Sequence, residues 1–335
     1  MTGEPEKDLE AGEVRWEAAA VPELLDVPAR SVGVPQAVLS ATHISVQGKR
    51  HRIRGAVYNP DGALRPISQR LGGKGGDLVL TDDPGKVDTE KVTAERLPGT
   101  WLYGGHWMPH FGHFITETVT NLWPEPIPVD GLVFHRFVGP QRVSAWQREF
   151  IRRAGWGAAR IEIVDDWRTV DHLIIPSRPV VLNAVVGPEA VDTWNRMMPG
   201  RHVHGRPVYL SRSRLEEDSR RTSTDHLLDE EMEARGFDVV HPQELDVTTQ
   251  MAVAAQAPLL VGLAGSALHL SAFAHPGART IEIGDRRSPR TPIRMQRAID
   301  AAFSRETAFV PLRLDRDDRD VSWTMARIDE LLASL

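Results

Sequence analysis

The sequence predicts an α/β fold of parallel sheets covered by helices, and three observations predict it. From about residue 100 onward, apolar runs of strand length alternate with amphipathic stretches of helical length. Runs such as Leu259-Leu260-Val261 are apolar at every position, as strands buried on both faces must be. The alternation stops at Pro199-Gly200 and begins again, so two units share one β-α-β-α-β architecture. The expected organisation is a loose tail over 1–30, an α/β domain over 31–199, a second over 200–318 and a closing helix over 319–335.

Taken in order, the tail is polar and then proline-containing. Short β-like runs follow from Ser31 to Asn59, among them Val38-Leu39 and His43-Ile44-Ser45-Val46. Gly72-Gly73-Lys74-Gly75-Gly76 lacks the Ser or Thr of a phosphate loop, and no strand leads into it, so it reads as a flexible loop. Trp101-Leu102-Tyr103 is a short strand. A helix is expected over 109–123, because Pro109 suits a first turn, where an N–H would go unpaired anyway, and Pro124 stops it. Leu132-Val133-Phe134 is a strand, 140–154 a helix ended by Gly155, and Ile161-Glu162-Ile163-Val164 and His172-Leu173-Ile174-Ile175 are strands. A helix over 188–198 closes the first unit. In the second, Pro207-Val208-Tyr209-Leu210 is a strand and 225–235 a helix capped within Thr222-Ser223-Thr224. Phe237-Asp238-Val239-Val240 is a strand and 247–256 a helix capped by Asp246. Leu259-Leu260-Val261, a helix over 266–274 and the strand Thr280-Ile281-Glu282-Ile283 follow. The last helix, over 320–335, is apolar at Ile328, Leu331 and Leu332.

Composition excludes several kinds of function. The chain has 335 residues, 41% hydrophobic and 26% charged, the balance of a globular protein long enough for two cores. A net charge of −6 leaves no electrostatic footprint for nucleic acid or an anionic membrane. No cysteine is present, which excludes thiolate catalysis, disulfides and Cys–zinc sites and suits the cytoplasm. No apolar run reaches the ~18 residues of a spanning helix. The acidic, polar opening is unlike a secretory leader.

Ligands of doubly wound sheets sit beyond the carboxyl ends of the strands. In the second unit those ends carry Ser211-Arg212-Ser213-Arg214, His241, Gly262-Leu263-Ala264-Gly265-Ser266 and, around the last strand, Glu282 and Gly284-Asp285. The set suits a nucleotide. Arginine binds a diphosphate in bidentate fashion. A Gly-rich turn lets helix N-terminal N–H groups approach phosphate. A carboxylate accepts from both hydroxyls of a ribose. Each also has a plainer reading: solvated arginines, a tight turn, a glutamate on an edge strand.

In the first unit one stretch concentrates ionisable side chains. Gly104-Gly105-His106-Trp107-Met108-Pro109-His110-Phe111-Gly112-His113-Phe114-Ile115-Thr116-Glu117 holds three histidines and a glutamate. Within the 109–123 helix, Phe111, Phe114, Ile115, Thr118, Val119 and Leu122 share one arc, and His110, His113, Glu117 and Thr120 share the other. Such a helix buries one side and lines a cleft with the other.

Three blocks carry a resemblance: Gly112-His113-Phe114-Ile115-Thr116-Glu117; Val208-Tyr209-Leu210-Ser211-Arg212 with Arg220-Arg221; and Val261-Gly262-Leu263-Ala264-Gly265-Ser266-Ala267-Leu268 through Phe273, Pro276-Gly277 and Ile281-Glu282-Ile283. Over roughly residues 100–285 the sequence resembles the family 61 glycosyltransferases, some of them capsular polysaccharide biosynthesis proteins. The resemblance implies two facing Rossmann-like halves (GT-B-like) with a cleft between them. It implies a nucleotide-sugar donor bound as substrate in the C-terminal half, no cofactor, and metal-independent transfer with inversion. Where the family has His-Gly-Ala, this chain has Ala264-Gly265-Ser266; Leu270 and Thr224 stand where the family has Asn.

Three functions compete. A glycosyltransferase acting on a glycan or small-molecule acceptor would use His113 as base or base-orienter, Glu117 as its partner and His110 on the acceptor side. Arg212, supported by Arg214 or Arg221, would hold the diphosphate. Gly262 belongs to the turn whose N–H groups at Gly265 and Ser266 would meet phosphate, and Glu282 would take the ribose. A metal-dependent hydrolase or lyase would instead use His106, His110, His113 and Glu117 as ligands; Pro109 argues against it by disfavouring helix at Met108. The third reading is a non-catalytic nucleotide- or sugar-binding protein on a decayed transferase scaffold, favoured by Ala264 and Leu270. His269 reads as a helix-surface histidine.

Overall fold

Two six-stranded sheets organise the chain. The computed structural model describes residues 14–19, 29–47, 50–74, 77–79, 81, 83–138, 142–203, 205–215, 225–312 and 321–335. In chain order the first strands are β1 (Glu17–Ala18), β2 (Ser31–Leu39), the pair β3 (His43–Gln47) and β4 (Arg50–Arg54), β5 (Val57–Tyr58), and the pair β6 (Leu71–Lys74) and β7 (Asp77–Val79). Then come β8 (Glu95–Trp107), β9 (Gly131–Arg136), β10 (Arg160–Val164), β11 (Arg168–Pro176) and the short pair β12 (Val180–Val181) and β13 (Val185–Val186). Leu71 and Lys74 pair within a ladder, so the start of the expected Gly-rich loop is strand; Gly75 and Gly76 lie outside the described residues.

The N-terminal sheet has the order β10-β9-β8-β11-β2-β5. Its first four strands are parallel, but β2 runs against them, antiparallel to both β11 and β5. The sheet is therefore mixed, where an all-parallel one was expected. The chain lays down β2 before its first helix, with no crossover to bring it round in parallel. The sheet coils until its ends meet. Thr42, past β2, donates through N to Asp165 O (2.8 Å), past β10, and His135 of β9 is hydrogen-bonded through Nε2 to Ser40 O (3.0 Å).

Among the described residues the α-helices of this half are α1 (Phe111–His113), α2 (Ala145–Ile151) and α3 (Pro188–Met197). Ser144 caps α2 with a capping box closed by Gln147, which places its start inside the expected 140–154 span.

The second half runs β14 (Val208–Leu210), α4 (Asp225–Ala234), β15 (Asp238–Val240), α5 (Val247–Gln256), β16 (Leu259–Leu263), a 3₁₀ segment Leu268–Phe273, β17 (Arg279–Ile283), α6 (Arg294–Ala302), β18 (Glu306–Val310) and α7 (Ser322–Ala333). Its strand order is β15-β14-β16-β17-β18, all parallel, so the order reverses between β14 and β16. A crevice at the carboxyl ends of those two strands is the ligand position of such sheets. Alternate residues face opposite ways. Tyr209, Val261, Ile281 and Ala308 pack with α4 and α7, while Val208, Leu210 and Leu260 pack with α5 and α6.

That second cluster also takes Phe114, Ile115, Phe150 and Trp194 from the first half, so one continuous core joins the halves. Phe150 stacks on Phe273 with ring centroids 6.0 Å apart. One more junction corrects the expected loose tail. Within 1–30, β1 pairs antiparallel with β18 at the edge of the C-terminal sheet, and Trp16 donates to Leu331 O of α7 (3.2 Å).

Candidate functional site

The expected 109–123 helix forms, but not as a uniform α-helix. α1 passes into a π turn, Phe114–Thr118, and then a 3₁₀ turn, Thr120–Leu122. The wide turn is marked by Val119 N donating to Phe114 O, five residues back (2.9 Å). The apolar arc packs as expected: Phe114, Ile115, Val119 and Leu122 are fully buried. The polar arc does not stay open along its length. His110 is exposed and His113 half-exposed, but Glu117 and Thr120 are buried.

What covers Glu117 is Arg70, which follows the 3₁₀ turn Pro66–Ser68. Its guanidinium forks onto the carboxylate, Nε to Oε2 at 2.6 Å and Nη2 to Oε1 at 2.9 Å. Phe137, just past β9, lies under the same guanidinium at 5.1 Å. On its other side Glu117 Oε1 meets His113 Nδ1 at 2.6 Å. Burial pushes the Glu117 carboxyl up, but the charge of Arg70 and the hydrogen bonds from His113 and Arg70 outweigh it and hold it at about 2. An ionised Glu117 only accepts, so Nδ1 carries the hydrogen and Nε2 the lone pair. The arrangement can orient an imidazole and stabilise it once protonated.

Gly112, beside His113, touches the other half. A Cβ there would lie 2.7 Å from Ser266 Oγ and 3.0 Å from His269 Cδ2, so only glycine permits this approach. Ser266 belongs to the turn after β16. His269 is not the surface histidine expected: it is 7% exposed. Its Nδ1 bonds Gln296 Oε1 of α6 at 2.9 Å, and the Gln296 amide nitrogen donates to Ser271 Oγ and Asp300. Burial lowers its pKa to about 4, against the Gln296 bond and with a contribution from His113. His269 thus sits across the join from the segment that carries His113, and both imidazoles are hydrogen-bonded through Nδ1.

The rest of the expected set lies along the carboxyl edge of the C-terminal sheet, with differences. Arg212, just past β14, is buried between two carboxylates, Nε to Asp225 (3.3 Å) and Nη1 to Asp285 (3.4 Å), and among the described residues Nη2 has no partner. Asp285 is also bonded by Arg287. Because β16 lies between β14 and β17 in the sheet, this ion cluster spans the turn that holds Gly265 and Ser266; Gly262, expected in that turn, lies instead inside β16, paired with Leu210 and Glu282. Arg214 is not brought to it. It points away, exposed, to Glu244 (2.9 Å). Arg221 lies outside the described residues. Glu282 faces α6, accepting from Ile293 N at 2.9 Å through Oε1, with Oε2 buried and without a partner among the described residues; burial pushes its carboxyl up to about 8.

The four expected metal ligands do not converge. His106 sits on β8, 1% exposed, its ring 5.8 Å from His135, and neither nitrogen is bonded. Among the described residues no group of three or more His, Asp or Glu side chains could hold a metal ion. Sequence reasoning missed Arg70, Gln296 and Asp225. Arg70 carries no local signal, since it meets Glu117 across 47 positions.

The glycosyltransferase 61 family model matches residues 111–281, from α1 into β17. No curated protein matches the chain. No helix among the described residues is long and apolar enough to cross a membrane. The matched segment contains His113, Glu117, Arg212 and the 264–266 turn, and it covers more than half of the sequence, so the chain belongs to glycosyltransferase family 61 and its function is of the glycosyltransferase type.

Proposed function

We propose that the chain moves a sugar from a nucleotide-sugar donor to a hydroxyl of a glycan or small-molecule acceptor, with inversion and without a resident metal. One observation carries the reading: the His113–Glu117–Arg70 chain of one half meets the turn at the switch point of the other through Gly112. His113 Nε2 takes the proton of the acceptor hydroxyl as its oxygen attacks the anomeric carbon, and the bond to the diphosphate breaks on the opposite face. The departing charge is met by the unpartnered Nη2 of Arg212 and the N–H groups of Gly265 and Ser266. Glu282 borders the donor on the α6 side, and His110 borders the acceptor. In this reading 31–199 forms the acceptor half and 200–318 the donor half, Rossmann-like units facing across a cleft, with α7 closing the donor half. The cysteine-free composition suits a cytoplasmic site of action.

The test is thermal melting with nucleoside diphosphates and nucleotide sugars, with and without chelator. A bound donor stabilises only the folded state, by about 2.7 kcal/mol at a hundredfold excess over Kd. The expected outcome is a rise in Tm that chelator leaves unchanged. No rise with any nucleotide overturns the donor reading; a rise that chelator removes overturns its metal-independence.

A further inference from the structure

Arg70 stands outside the matched segment 111–281, yet it completes the contacts of the residue at that segment's start. The pair with Glu117 is enclosed, its side chains 12% and 6% exposed. The bonds divide unequally. Glu117 Oε2 accepts from Arg70 alone, while Oε1 accepts from both Arg70 Nη2 and His113 Nδ1. Two parallel bonds from a planar fork fix the plane of a carboxylate in a way that one ammonium cannot. With that plane fixed, the direction of the bond to Nδ1 is fixed as well. Phe137 holds the guanidinium from below, so the order of support is Phe137, Arg70, Glu117, His113.

Charge adds a second effect. A buried carboxylate with no cation draws a proton onto its imidazole partner; one already matched by arginine does so far less. Among the described residues His113 is bonded to Glu117 and lies within electrostatic reach of His269, while Ser266 and His269 approach the neighbouring Gly112; His110 precedes it on the same segment. Arg178 lies behind Glu117, within electrostatic reach, and donates to Ser68 O (2.8 Å).

We infer that Arg70 is a positioning residue for the transfer step: acting through Glu117, it fixes the ring of His113 and keeps the carboxylate from holding a proton there. The inference rests on the reading of His113 as the base.

The experiment needs no donor, so its outcome is separable from that of the transferase reading. Full-length protein labelled with ring-¹⁵N histidine is titrated by NMR, the His113 signals being those lost in His113→Ala. In Arg70→Gln the midpoint of His113 should rise by about one pH unit relative to the native chain, and Arg70→Lys, which keeps the charge, should reverse most of that rise. A folded Arg70→Gln protein with an unmoved midpoint would overturn the inference and leave Arg70 a structural tie. Should Arg70→Gln fail to fold, Arg70→Lys decides alone. In Arg70→Lys, where the charge stays and the fork is lost, the fraction of neutral His113 carrying its hydrogen on Nδ1 should fall, and an unchanged fraction overturns the role.

Discussion

His113 and His269 lie on opposite sides of the join between the halves, and each is held through Nδ1. The difference is in what holds them. His113 is tethered to an ionised carboxylate that an arginine matches; His269 is tethered to an amide oxygen. A proton arriving on His113 stays beside negative charge. One arriving on His269 meets a neutral dipole in a buried place, and its pKa of about 4 reflects that. One ring is tied to a charge and the other to a neutral amide, on either side of the same join. The comparison teaches that the tether, more than the imidazole, decides which histidine can serve as a base.

The strongest way to break this comparison is to remove each ring in turn. His113→Ala should lower the rate of transfer by about 10²–10⁴ while donor affinity stays within a few fold. Full turnover by the folded variant would refute the role given to the helix. Exchanging the tether comes next. Glu117→Gln gives His113 the kind of partner His269 has, keeping the shape and removing the charge, and most of the rate should go with it. Near-native kcat in that variant would show that charge at the tether is irrelevant. The reverse exchange, Gln296→Glu, should raise the His269 midpoint from about 4 by about a unit or more, read by the same histidine titration.

A smaller effect concerns stability. His135 and His269 are depressed to about 4 and His106 is lowered well below its ordinary value, in each case chiefly by burial. The unfolded chain binds protons that these folded rings refuse. Their contribution is therefore complete above about pH 6.5 and is lost as pH falls toward 4, by about 1.4 kcal/mol per pH unit for each ring. Urea melts at pH 7 and pH 5 check this. An unfolding free energy that does not change between them would mean that the rings accept protons in the folded state.

Much of the fold was legible because its signals are local. Asp246 caps α5 at the expected residue, and the helix ends at Gln256 as its apolar period requires. Strand ends in the second half could be read from continuous apolar runs. What could not be read depends on partners far along the chain. α6 reads as polar, RMQRAIDAA, yet buries Met295, Ala298 and Ile299 against the join. The family was recognised from short blocks within the matched segment. The partners that orient its side chains were not, because each pair meets only once its own half has folded: Arg70 with Glu117 in the first half, Gln296 with His269 and Asp285 with Arg212 in the second. The polar face of the 109–123 helix misled for the same reason. Periodicity shows which side chains share an arc, but not what later covers it.

β1 has a consequence for how the molecule is made. Among the described residues the first strand of the sequence pairs with the last, Glu17 opposite Thr307. Until β18 is synthesised, β1 has no partner, and Trp16 waits for α7. Contacts across almost the whole chain close late, because the entropy of a long loop must be overcome first. The C-terminal sheet therefore spends the last stage of folding with the edge of β18 bare, and a bare edge is a template for other chains. A protein shortened to begin after residue 30 keeps every residue placed near the sugar, yet it should carry that edge permanently and associate with its own copies.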